Sequence, residues 1–198
     1  MSSSNTQQRA AKQRTYRLGK RAEKQEQTRR RIVEAALDLH STLGPARTTV
    51  AQIAERAGVQ RHTYYAHFPH ERDLFLACSG LAIEKDPLPD LDTLREPPAG
   101  HERVRRGLEK FYGWYERNAQ QAACVLRDAE HHALTREMVE LRMAPAIRDA
   151  AKLLSEGLSE RSKIVLGVAL DFACWRVLGP SLGPKKAAAL MSDAVVNV

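Results

Sequence analysis

The chain has 198 residues, 43% hydrophobic and 28% charged, with a net charge of +7. That length suits one buried core plus a small appended unit. The longest apolar run, residues 164–178, is interrupted by Asp171 and Arg176 and is too short to span a bilayer, so no membrane partner is expected. Cys78, Cys124 and Cys174 lie far apart with no C-x-x-C pair, which argues against a disulfide framework and a structural zinc site and leaves them as core thiols.

The amino terminus is basic and polar, with no apolar stretch of the secretory kind, so the expected location is cytoplasmic. Residues 1–31 hold ten cations against Glu23 and Glu26, a local charge of +8, while the rest of the chain sums to −1. Such an excess is the footprint of an arm that meets a polyanion; a solvated tail is the alternative on charge alone. Residues 1–22, Gln-rich and without apolar periodicity, read as a disordered arm. From Glu23 a helix is expected, with Ile32, Ala36, Leu39 and Leu43 at helical intervals and Gly44-Pro45 ending it. Thr49 caps a second, short helix, with Gln52 placed to complete a capping box.

Gly58 allows a sharp bend between Ile53 and Ala57 on one side and Val59 on the other. Tyr64 and Phe68, four apart, give the following helix its buried face, so Gln60, Arg61, His62 and Tyr65 share the outward side. This is a helix-turn-helix design, in which the first helix braces and the second offers its leading residues to base edges; a plain helical hairpin is the alternative. After Pro69 a helix is expected over residues 70–85, then an irregular proline-rich loop over 86–100. Further helices are expected over 101–118, 121–142, 145–158, 162–178 and 184–196, the last two joined by a turn at "GPSLGP". No segment alternates with period two. The expected fold is all-α: an N-terminal three-helix unit over residues 23–69 and a C-terminal helical unit over 70–198.

Thr49, Ile53, Ala54, Ala57, Gly58, Val59, Thr63, Tyr65, His67 and Phe68 form a dense, ungapped pattern, and over about Thr28 to Leu76 the chain resembles the TetR family of transcriptional regulators. The resemblance implies that Thr49, Thr63, Tyr65 and His67 contact DNA phosphates while Gln60, Arg61 and His62 face bases, with Arg61 suited to a guanine. It departs from the family at His62, often glycine, and at Glu71, commonly a phosphate-gripping lysine that Arg72 stands ready to replace.

A single helix-turn-helix reads few base pairs, so a homodimer on a palindromic double-stranded operator is expected. The apolar segments 162–178 and 184–196, the latter with Leu190, Met191, Ala194 and Val195 on a stripe, are the expected pairing surface, forming a four-helix bundle with the partner. The resemblance further implies a ligand-binding and dimerisation domain around a small-molecule effector. Phe111, Trp114, Tyr115, Arg127 and His131 are the candidate lining, against the alternatives of plain core for the aromatics and a surface ion pair for Arg127. His131 and His132 point about 100° apart on a helix and Pro69 separates His67 from His70, so no metal site is expected. No phosphate loop, nucleophile elbow or H-E-x-x-H marks an enzyme, and neither catalytic residues nor a cofactor are expected. The favoured reading is a ligand-responsive repressor; a ligand-independent architectural DNA binder and a small helical enzyme or carrier are the alternatives.

Overall fold

The computed structural model describes the backbone of residues 3–198 and the side chains of residues 19–198. Helix α1 runs from Ser3 to Thr42, starting well ahead of the expected Glu23. The disordered arm expected over residues 1–22 is thereby corrected from Ser3 onward, and Met1 and Ser2 lie outside the described residues. The run is rich in Ala, Arg, Lys and Gln, contains one glycine and no proline, and so favours helix even though it has no apolar face to bury. Gly44, at φ +101°, ends α1 and leads into a short 3₁₀ turn at Pro45–Arg47.

Helix α2 spans Val50–Arg56 behind a complete capping box: the Gln52 backbone N–H donates to Thr49 Oγ1 at 3.3 Å, and the Thr49 N–H donates to Gln52 Oε1 at 2.8 Å. The expected bend follows at Gly58, whose φ of +64° lies in the left-handed region. Helix α3 (Arg61–His67) completes the amino-terminal unit, against which α4 (Glu71–Lys85) packs through α1. Ile32, Ala36, Ile53, Ala54, Tyr64 and Phe68 make the core of that unit, joined by Leu74 of α4. Arg29 of α1 lies 4.9 Å over the Phe68 ring, closing that core with a cation–π contact.

The carboxy-terminal unit comprises α5 (His101–Arg117), α6 (Ala119–Ala129), α7 (Ala133–Arg142), α8 (Ala144–Leu154), α9 (Glu160–Leu170) and α10 (Phe172–Val196), and no strand occurs among the described residues. Three expected boundaries move. The helix expected over 121–142 is two helices, because the Asp128 carbonyl accepts from both the His131 and His132 N–H groups and closes a tight turn. The helix expected over 162–178 breaks at Asp171, whose carboxylate accepts the Ala173 N–H at 2.6 Å and caps α10 after a bend of 69°. The turn expected at "GPSLGP" is a kink at Gly183, whose φ of +70° and ψ of 168° are non-helical and suit glycine: helix continues from Phe172 to that point, and a second helical segment of α10 starts at Pro184.

Helix α10 packs chiefly along α5 and α9. Tyr112 and Tyr115 of α5, essentially inaccessible, donate their hydroxyls to the Ala169 and Leu170 carbonyls at 2.8 and 2.7 Å, satisfying two of the carbonyls left open at the end of α9. Burial pushes both phenols above their ordinary pKa, so they stay protonated donors. No single helix among the described residues is long and apolar enough to cross a membrane; α9 and α10 reach that composition only together, across their bend.

Candidate nucleic-acid interface and adjoining cavity

The reading edge is built by local chemistry. Because Tyr64 and Phe68 are 2% and 1% exposed, α3 can turn only one way, and Gln60, Arg61, His62 and Tyr65 come out on its solvent side. Tyr65 is 53% exposed, a large accessibility for an aromatic residue, with its ring edge-on to Tyr64. Gln60 occupies the N-cap position of α3 without a side-chain cap, and among the described residues Arg61 and His62 have no ion pair. Thr63 and His67 are half-buried at the flank, and Thr49 is exposed at the start of α2. The seven expected contact residues are thus all at least partly exposed, six of them on or just ahead of α3 and Thr49 at the start of α2. Arg72 is different: it pairs with Glu137 of α7 at 2.6 Å, so the cation suggested as a substitute for the lysine missing at Glu71 is engaged elsewhere.

A latch joins this unit to the carboxy-terminal helices. The Asp128 side chain, 1% exposed, accepts the Ala46 N–H at 2.9 Å and the Arg127 Nε–H at 2.8 Å, while Arg127 Nη2 donates to the Leu43 carbonyl at 3.0 Å. Burial acts to raise the Asp128 pKa, but these bonds and the Arg127 charge outweigh it and hold the carboxyl below its ordinary value. The turn after α1 is thus gripped by α6.

The family described as "Bacterial regulatory proteins, tetR family" matches residues 32–78, the segment that contains α2, the bend and α3. Over that segment the chain is similar to the TetR family. It is 46% identical over 87 residues to the HTH-type transcriptional regulator TtgR of Pseudomonas putida, an alignment covering 44% of this chain and 34% of that protein. It is 39% identical over 75 residues to the HTH-type transcriptional regulator SrpR of Pseudomonas putida, covering 36% of this chain and 35% of that one. These alignments span about a third of the length of the curated relatives. A TetR-like transcriptional regulator from Rhodococcus sp. RHA1 shares the fold across 85% of this chain and 93% of its own, with a TM-score of 0.60 at 23% identity.

A cavity of about 80 Å³ opens where α1 and α4 meet α5, α6 and α7. Its lining is mostly apolar, with Phe75, Trp114, Val125, Met138 and Val139 prominent, and polar groups come from His40, Ser79, Asn118, Gln121, Thr135 and Arg142. Of the five residues expected to line a ligand site, only Trp114 does so. Phe111 and Tyr115 belong to the core under α9 and α10, 0% and 1% exposed, because α5 turns that face toward the terminal helices. Arg127 is engaged in the latch, and His131 is exposed in the turn between α6 and α7.

None of these six polar lining residues was anticipated, the ionisable His40 and Arg142 included. His40 was legible, since it continues the buried Ile32–Ala36 face at the same four-residue interval. Its ring stacks obliquely on Phe75 with centroids 5.1 Å apart, and Cys78 Sγ lies 3.6 Å from its Nδ1. Burial, reinforced by His132 and opposed by Asp128, pushes the imidazole pKa down to about 4. Burial likewise pushes the Cys78 thiol up to about 12, leaving it an unreactive core thiol. Arg142 had no sequence signal, because what places it at the cavity is the approach of α4.

Proposed function

We propose that this chain is a ligand-responsive transcriptional regulator, acting as a repressor, that binds a palindromic DNA operator as a homodimer in the cytoplasm. The observation that carries the reading is the exposed edge of α3, held in one orientation by the buried Tyr64 and Phe68. On this reading residues 23–69 form the DNA-reading unit and residues 70–198 the ligand-binding and dimerisation unit. Gln60, Arg61 and His62 meet base edges, and Thr49, Thr63, Tyr65 and His67 meet phosphates, which set register without reading sequence.

Dimerisation is supported by the outer face of α9 and α10. Ile164, Val168 and Val177 are 71%, 57% and 75% exposed, and with Gly167 and Ala173 they line an open apolar groove of the kind that marks an interface. The helices that carry this face run over 160–170 and 172–196 with a kink at Gly183, and Val195 of the expected stripe is core.

Release of DNA needs only an effector that prefers the state whose two α3 helices no longer match grooves about 34–36 Å apart. The cavity is suited to that role because its walls include α1 and α4, the latch and the Arg72–Glu137 pair joining the same elements to α6 and α7. Selection of bound duplexes from a random pool, followed by binding assays with Arg61→Ala, tests the reading. Arg61→Ala should lose about 1–3 kcal/mol on the selected site and little on random duplex. Equal affinity of the native chain for selected and random DNA would overturn it.

A further inference from the structure

The cavity contains one group that its own fold does not account for. Arg142, the last residue of α7, is half-buried and extends over α4, where it reaches Ser79 Oγ and the Leu76 carbonyl, each at 3.4 Å. Both distances lie beyond the usual range for N–H···O bonds, and a guanidinium has five donors to satisfy. Among the described residues no carboxylate answers its charge. Glu137 and Glu140, the acidic residues nearest it along α7, are taken by Arg72 and Arg148. A cation near the end of a helix is favoured by the helix dipole, which explains an arginine at position 142 but not a head laid over α4 at the wall of an apolar cavity.

Partial burial of a charge is costly unless it is paired, and a guanidinium fork is matched to carboxylate geometry. The rest of the lining sets the other half of the ligand: the Trp114 and Phe75 side chains and the His40 imidazole offer ring surfaces, with Val125, Met138 and Val139 between them. A volume of about 80 Å³ holds roughly five to eight water-sized groups. We infer that the effector is a small organic anion, a carboxylate on a single-ring apolar body of about ten heavy atoms or fewer, with Arg142 as its anchor. This rests on the reading of the cavity as the effector site.

Calorimetric titration of the full chain with benzoate and with benzamide, its neutral analogue of the same shape, tests it. Benzoate should bind the native protein roughly tenfold or more tightly than benzamide, because only benzoate completes a charge-assisted pair. In Arg142→Met, which keeps the length and apolar stem, the preference for benzoate over benzamide should vanish, and residual benzamide binding shows that the cavity is still folded. Arg142→Lys, which keeps the charge without the fork, should retain an intermediate preference, and it serves alone if Arg142→Met does not fold. Equal binding of the two probes by the native chain would overturn the anionic assignment and leave the effector cavity standing. A benzoate preference that survives both substitutions would overturn the role of Arg142. Binding of neither probe would overturn the anionic assignment together with the cavity reading.

Discussion

Acidification should destabilise this protein through His40 well before its carboxylates protonate. The folded-state pKa of His40 is about 4, below the ordinary value of 6.5, so as pH falls the unfolded chain takes up the proton first. The contribution of His40 is therefore complete above about pH 6.5 and is lost progressively down to about pH 4. At about pH 5 the unfolded imidazole is nearly all protonated and the folded one only about a tenth, which gives a loss of about 2 kcal/mol relative to about pH 7.5. The full difference between the two pKa values corresponds to about 3 kcal/mol. Urea unfolding followed by tryptophan fluorescence, at the two pH values, measures this loss in the native chain and in His40→Leu. Leucine preserves an apolar side chain beside Phe75 and Cys78 but has no proton to bind, so the variant should lose about 2 kcal/mol less than the native protein over that interval. The lowered carboxylates, Asp86, Glu102 and Asp128, titrate at lower pH and are common to both proteins. Equal pH dependence in native and variant chains would refute the claim that His40 is buried and neutral.

Gly44→Ala should destabilise the chain by about 1–3 kcal/mol through backbone strain at φ +101° alone, with a further cost because the added methyl would meet the Arg127 and Asp128 side chains of the latch; chemical denaturation reads the sum. Ile164→Glu combined with Val177→Glu should leave the fold intact, since both side chains are 71% or more exposed, yet convert a dimer to a monomer, as read by light scattering coupled to size exclusion; an unchanged mass would remove α9 and α10 as the pairing surface. Deleting residues 1–20, which removes five cations, should flatten the slope of log K against log salt for DNA binding by about 0.9 for each phosphate that the arm had neutralised, and an unaltered slope would show that the arm does not touch DNA.

The reading unit was legible because its determinants are close in sequence. The Thr49 cap with Gln52, the bend at Gly58, and the Tyr64 and Phe68 pair each act within a few residues, so local chemistry specifies α2, the turn and α3 with little help from the rest of the chain. The periodicity of α5 was equally plain, but which of its apolar residues would be core and which would line a cavity was not: Phe111, Trp114 and Tyr115 differ only in which neighbouring helix each meets.

Helix breaks in the second half followed the same division. The segment over 162–178 is apolar nearly all round and carries no directional signal, and it bends at Asp171 because α9 and α10 must both lie against the rest of the carboxy-terminal core. The sequence by itself determined the all-helical class, the helix-turn-helix and its exposed edge, since these follow from spacing and capping within one or two turns. Only the tertiary structure decided that His40 and Arg142, about a hundred residues apart, share one small cavity and that Arg127 and Asp128 grip the turn after α1, because such meetings depend on how whole helices dock rather than on what any one helix contains.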